Sequence, residues 1–298
     1  MRLEVLRSWK VRSGLIIIAF SILIAVFGPM ISGWLDLSPR RINYDAIGAP
    51  PSLNHWFGTT LGGHDVFAQM LYGARGSVFV GLLAGTISVV IAVVVGTWSG
   101  YVGGALDRFT VALINVLMTM PGLAVMFIIA GYIRETGMIL IAIVIGLLSW
   151  PGGARVIRAQ TLSLRNRDFT AALRAIGEKR WRIVIVEILP HLMGVVSAMF
   201  LSAMVAGIFA EASLAFLGIG NVDGVSWGMI ISHAQTQGAI LRGMWWWFLP
   251  PGLMIALIGF ATAMVNFGLD EVTNPRLNAR LAALTRKFEA DKRKKATR

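Results

Sequence analysis

The chain has 298 residues, of which 56% are hydrophobic and only 14% charged, with a mean hydropathy of +0.71. A soluble domain of this size covers its surface with charged residues amounting to about a quarter of the chain, so the shortage points to lipid as the solvent. The lack of any cysteine excludes disulfides, thiolate metal sites and cysteine nucleophiles. No two of the four histidines (His55, His64, His191, His233) are spaced as ligands on one helix face, so no zinc site is expected.

A helix crossing the hydrocarbon needs about 20 residues, and a charge at its centre costs at least ~2.5 kcal/mol. Long stretches between successive charged residues therefore mark the spans. The first is Ser13–Leu35, which contains GLIIIAFSILIAVFG. It is longer than a signal-peptide core and no small-residue cleavage site follows Trp34–Asp36, so it predicts an uncleaved span over 14–35. Residues 36–76 form the following loop. Gly76–Leu106 is the second window, with Val78–Trp98 its most apolar part, and Gly81, Gly85, Gly96 and Gly100 allow it to pack closely on a neighbour.

Phe109–Ile133 is the third window. Pro121 within it, like Pro29 in the first, removes a helix hydrogen bond and is expected to kink the span. The remaining windows are Thr136–Ala154, Ile188–Ala210 and Gly243–Leu269. Gly224–Leu241 is also free of charge, but Ser226, Ser232, His233, Gln235, Thr236 and Gln237 make it costly to bury in lipid. It reads as an extracytoplasmic segment with a short helix at the surface. Trp245-Trp246-Trp247 reads as an interfacial aromatic belt ahead of the sixth span, with a stacking platform for peptides or sugars as the alternative.

The net charge of +12 invites a nucleic-acid reading, so its distribution matters. With the N-terminus inside, residues 1–13, 101–108, 155–190 and 270–298 are cytoplasmic. They hold all but five of the 27 Lys and Arg; Arg40, Arg41, Arg75, Arg134 and Arg242 fall outside. This is the positive-inside asymmetry of a multi-pass membrane protein with both termini cytoplasmic. It removes the need for a nucleic-acid partner. The closing DKRKKATR reads as a solvated tail, with contact to anionic headgroups as the alternative.

One cytoplasmic segment is too charged for lipid and too apolar for a plain linker: RNRDFTAALRAIGEKRWRIVIVEILPHL, Arg165 to Leu192. It predicts a short helix ending near Ile176, a turn at Gly177 where positive φ costs nothing, and a second helix over Trp181–Leu189. Pro190 then stands where the next helix would start. Small residues on an exposed face permit close approach to a partner, and the arginines can fork onto partner carboxylates.

AALRAIG, Ala171 to Gly177, followed by ten residues and Ile188-Leu189-Pro190, resembles the EAA loop of binding-protein-dependent permeases. The family's glutamate falls on Ala171 and its second alanine on Leu173. The resemblance continues along the chain in Pro50-Pro51-Ser52, Phe57-Gly58-Thr59-Thr60, Gly63-His64-Asp65-Val66 and Tyr72 to Ser77. Gly100 to Gly104 with Asp107-Arg108, Met120-Pro121-Gly122, Ala210 to Gly218, Ser226-Trp227-Gly228, Trp246–Gly252 and Asn274 to Leu277 extend it. Together, in this order, they are similar to the dipeptide/oligopeptide/nickel branch, with the departure NFGLDEVTN at Asn266–Asn274.

That resemblance implies an all-α membrane protein of six transmembrane helices with a cytoplasmic coupling helix, the type I ABC importer permease. Its parts would be an N-terminus over 1–13, the first span, the loop, a five-span core over 77–277 with a coupling loop at 165–190, and a basic tail over 278–298. It implies that Ala171, Ala172, Arg174, Gly177, Leu189 and Pro190 dock on an ATPase, with ATP and Mg held by that partner and no cofactor in this chain. The implied partners are a homologous permease subunit, two ATP-binding subunits, an extracytoplasmic substrate-binding protein and the bilayer.

Peptides are the expected cargo, with oligosaccharides, nickel chelates or opines as alternatives. An ion-driven secondary transporter would carry intramembrane carboxylates, which the window interiors lack. A membrane enzyme would need a nucleophile–base or metal set, and none is visible. Glu211, at the outer end of the fifth span, is a pathway candidate, with a hydrogen-bonding anchor in the AEASL turn as the simpler role. Pro121 is a candidate hinge, with an ordinary packing kink as its simpler role.

Overall fold

A computed structural model describes residues 8–132, 137–220 and 224–273, with side chains as far as Gly268. The expected Arg134, the Asn274 to Leu277 motif and the tail over 278–298 lie outside the described residues. Among the described residues the regular structure is helical, with only a single bridge between Thr59 and Asp65. The helices are α1 (Trp9–Trp34), α2 (Val66–Val102), α3 (Gly104–Thr119), α4 (Gly122–Tyr132) and α5 (Met138–Arg165). They continue as α6 (Asp168–Ala175), α7 (Arg180–Phe216), α8 (Trp227–Thr236) and α9 (Trp245–Thr273).

Five of these, α1, α2, α5, α7 and α9, are long and apolar enough to cross a membrane unaided. The third window does not form one kinked span. Met120 is extended at ψ 137°, because the Pro121 ring excludes the helical region for the residue before it. The chain turns by 84° there, leaving α3 and α4 as two short helices. At about 1.5 Å per residue, neither reaches across the ~30 Å hydrocarbon. Counted as one broken span, the pair brings the total to six.

Helix boundaries also depart from the charge-free windows. α2 begins at Val66, inside the segment read as loop 36–76, and α5 runs past Ala154 to Arg165. Backbone hydrogen bonding carries a helix beyond the hydrocarbon wherever no breaker intervenes, so charge marks the slab and not the helix end.

The four glycines of α2 act as the sequence suggests. A methyl group on Gly81 or Gly85 would meet α7 backbone at Met204, 2.7 and 2.9 Å away. One on Gly96 or Gly100 would meet the Ala154 and Arg158 carbonyls of α5 at 2.7 and 2.9 Å. α2 is thus clamped between α7 at one end and α5 at the other, where lipid-exposed helices rely on close van der Waals fit.

The segment before α2 is held by side chains. Asp65 caps α2 by accepting Ala68 N–H at 2.9 Å, and its second oxygen meets His55 Nδ1 at 2.8 Å. Asn43 Oδ1 accepts Asp45 N–H, which turns its amide nitrogen towards His55 Nε2 at 3.2 Å. α8 is a helix as expected, yet it does not lie on the surface. Trp227, Ile230 and Ala234 point into the main core with Val78, Met204 and Ile208, while His233 and Gln235 stay outside. Its apolar residues recur at i, i+3 and i+7, one face of a helix, and burying that face outweighs exposing it.

Candidate functional site

The elbow between α5 and α7 carries the residues singled out in the sequence. Asp168 opens α6, where a carboxylate complements the helix dipole. At the other end Gly177 N–H bonds to Arg174 C=O at 3.1 Å and Glu178 N–H to Leu173 C=O at 3.0 Å. This Schellman arrangement requires the left-handed residue that Gly177 supplies at φ 78°.

Residues of α6 divide by face. Thr170 is buried and donates its hydroxyl to Leu164 C=O at 2.9 Å; Leu173 packs on the cluster of Tyr101, Ile157, Ile183 and Ile188. Phe169 stacks on His191 of α7, ring centroids 5.4 Å apart. Ala171, Ala172, Ala175 and Ile176 face outwards, and Ile176 is 76% exposed. The elbow therefore presents a small-residue face with one large apolar side chain beside it.

Arg174 is engaged within the elbow. Its Nη2 donates to Arg165 C=O at 2.7 Å and its Nε to Thr170 C=O at 3.3 Å. It ties α6 to the end of α5, so movement of one carries the other. Arg182 pairs with Glu178 at 3.1 Å across the next turn.

The expected second helix and the fifth span are one continuous helix, and Pro190 does not start a new one. Proline lacks an N–H and its ring pushes away the carbonyl four residues back. The backbone absorbs this by widening to i+5 hydrogen bonds over Ile183–Ile188, with Leu189 N–H reaching Val184 C=O. Leu189 is half-buried and Pro190 exposed, on the flank of α7 rather than on the outward face of α6. Of the six predicted docking residues, the fold places Ala171 and Ala172 together on that face. Arg174 and Gly177 shape it.

Three features that sequence reading missed join helices to one another. Arg158 donates Nε and Nη2 to the two carboxylate oxygens of Asp107 at 2.5 and 2.7 Å. Ser99 adds a third bond to Asp107 at 2.6 Å. These tie α3 to α2 and α5 two turns from the elbow, and the side chains are largely screened from solvent, 25% and 18% exposed. Second, Asn266 of α9 donates to Ser202 of α7 at 2.8 Å. The third is the stacking of Phe169 on His191. Each pairs residues far apart in the chain, so no local pattern announces it; the Asp-Arg dipeptide at 107–108 was the one available hint.

Glu211 lies inside α7, which runs on to Phe216, so AEASL is helix and not turn. The carboxylate is buried at 5% exposure, and its Oε1 accepts the Ser226 hydroxyl at 2.6 Å. Ser226 in turn caps α8 by accepting Met229 N–H, and Trp227 N–H bonds to Ser77 of α2 at 3.0 Å. Glu211 is thus placed as an anchor joining α7, α8 and α2. Pro121 is exposed at the α3–α4 break.

The three tryptophans that open α9 do not form a uniform belt. Trp245 is 53% exposed, Trp246 donates Nε1 to Thr59 C=O at 3.2 Å, and Trp247 is buried at 2%. Helical geometry sends three successive side chains in three directions, so a run of one residue type need not share one surroundings. Between this end of α9, α8 and the loop lies a cavity of ≈ 350 Å³ lined by His64 and His233. Partial burial, and after it the charge of His64, holds the His233 imidazole below its usual range.

Comparison with known proteins agrees with this architecture. The chain is 34% identical over 269 residues to the dipeptide transport system permease protein DppC of Bacillus subtilis (strain 168), covering 89% of this chain and 81% of that one. It is 34% identical over 266 residues to the oligopeptide transport system permease protein OppC of the same organism, covering 89% and 85%. To OppC of Haemophilus influenzae it is 31% identical over 268 residues, covering 89% and 84%. Residues 92–278, from the middle of α2 through the elbow to beyond α9, match one family description. With its helical bundle, its broken third span and its elbow, the chain belongs to the family of binding-protein-dependent transport system inner membrane components.

Proposed function

We infer that this chain is the permease subunit of an ATP-driven ABC importer for dipeptides and oligopeptides, forming half of the translocation path. The observation that carries the reading is the elbow: a capped helix with an outward small-residue face, bonded back to α5 through Arg174 and stacked on α7 through Phe169. Such a part transmits a push as a rigid body. The peptide cargo rests on relatives named for dipeptide and oligopeptide transport.

In this reading the elbow and both termini face the cytoplasm, where all but five of the 27 Lys and Arg then lie. Two ATP-binding subunits hold ATP and Mg, one of them against Ala171 and Ala172. A homologous permease completes the path, and an extracytoplasmic binding protein delivers the peptide. The chain itself carries out no bond chemistry.

The test is uptake by the complete complex in proteoliposomes. Peptide uptake should require ATP hydrolysis and persist with a proton uncoupler while ATP is maintained. Gly177→Asp should abolish it without changing membrane insertion. Uptake stopped by the uncoupler alone, or normal uptake by Gly177→Asp, would overturn the reading.

A further inference from the structure

Between α2, α5, α7 and α9 runs an open groove of ≈ 500 Å³. Its lining contains no Asp, Glu, Lys or Arg, but it carries four hydrogen-bonding side chains: Ser88, Ser149, Ser202 and Asn266. Such a set is unusual on a helix face turned to lipid, where an unsatisfied polar group costs several kcal/mol. Apolar and small residues make up the rest. A methyl group on Gly152 would meet nothing within 4 Å, so the wall at that point is bare backbone facing open space.

The bonding state of the polar groups is asymmetric. Ser149 donates to Ile145 C=O at 2.7 Å, keeping an acceptor lone pair. Asn266 gives its amide N–H to Ser202 Oγ, and this bond leaves the Ser202 proton to serve as a donor. Asn266 Oδ1 is buried with no hydrogen-bond partner among the described residues. A buried amide oxygen in this state costs stability unless something donates to it. The groove thus offers one vacant acceptor and at least one donor, both uncharged, a short distance apart.

We propose that this groove is a stretch of the translocation path in which Asn266 Oδ1 accepts a peptide backbone N–H and Ser202 donates to a peptide carbonyl. The inference rests on the peptide-importer reading and adds residues and a specificity rule to it. Backbone amides are common to all peptides. A path that engages them with neutral groups and has no fixed charge does not select among substrate side chains by charge. Oligosaccharides lack a regular series of amide donors and would leave Oδ1 unanswered at most positions.

Because the chain has no cysteine, single-cysteine variants report on the groove directly. In the assembled transporter, a water-soluble methanethiosulfonate should modify Ser202→Cys and Ser149→Cys at least about 10-fold faster than Val90→Cys, since only solvated thiols ionise readily. Val90 is exposed about 200° round α2 from Ser88, away from the groove. Neutral trialanine at four times its dissociation constant should slow labelling of Ser202→Cys about 5-fold by simple occupancy. Asn266→Asp should raise the uptake ratio of a lysine-containing over a glutamate-containing tripeptide by ~10-fold or more, because a fixed carboxylate in a poorly hydrated path repels its like. Gly152→Phe, whose side chain projects into the open space, should block uptake at normal complex yield.

Groove cysteines that label no faster than Val90→Cys would assign the groove to lipid or to the second permease subunit and overturn the proposal. So would labelling without trialanine protection, or an unchanged charge ratio in Asn266→Asp, in preparations whose wild type imports trialanine. Failure of the wild type to import any peptide with ATP would instead overturn the parent reading.

Discussion

The two ends of the bundle are built on opposite plans. At the end carrying residues 36–65 and α8, side chains cross from one element to another: Glu211 to Ser226, Trp227 to Ser77, His55 to Asp65, Trp246 to Thr59. Several of these groups are buried, so the cross-links lock separate helices into one unit. At the elbow the hydrogen bonds close locally, Arg174 on Arg165 and Thr170 on Leu164, and the outward face of α6 is left bare. If, as proposed, the elbow docks on a partner and moves with it, satisfying its own polar groups first keeps its contact face for that partner. A part that must hold shape spends its polar groups on neighbours.

Five substitutions test that contrast. The largest effect falls on Ala172, where glutamate replaces a methyl on the outward face and touches nothing in this chain. ATP-driven uptake should fall about 100-fold, the scale of a lost interface hot spot, with thermal stability in detergent within ~0.5 kcal/mol of wild type. If stability falls instead, the face is not free and the contrast fails.

Glu211→Gln should act the other way round. The amide replaces the buried carboxyl acceptor of the Ser226 hydroxyl, so stability should drop by about 1–3 kcal/mol. Thermal unfolding would read this, while the relative uptake of different peptides stays as in wild type. A shifted peptide preference would move Glu211 into the pathway.

Asp107→Asn removes one half of a bidentate pair that joins α3 to α5. A loss of about 1 kcal/mol is expected, since both partners keep some contact with solvent. Protease cutting at the Gly103-Gly104 elbow should rise with it. If cutting is unchanged, the pair is not what secures α3. Smallest is the tryptophan comparison: Trp246→Phe loses the bond to Thr59 and about 1 kcal/mol, whereas Trp245→Phe should change stability by less than ~0.5 kcal/mol. Equal effects would return both to a common belt.

How much of this was legible beforehand varies with the range of the interaction. The spans were read correctly in number because the cost of a charge in hydrocarbon is local and large, so gaps between charges map the slab. The elbow was legible because Gly177 needs positive φ, and because the alternation of Ala171, Ala172 and Ala175 with Thr170 and Leu173 separates two helix faces within one turn. The α2 glycines were legible as close-packing positions, though not which helix each would touch.

The chain by itself therefore determined which stretches seek lipid and where the polar elbow falls, since these depend on a residue and its near neighbours. Only the tertiary structure decided that Pro121 breaks a span through 84° while Pro190 is absorbed by a widened turn. The outcome at each proline depends on the packing available around it. The tertiary fold likewise decided that Arg158 reaches Asp107 across 51 positions, and Asn266 reaches Ser202 across 64. Such pairs form only after helices dock, because a side chain extends a few ångströms and finds its partner where packing puts one.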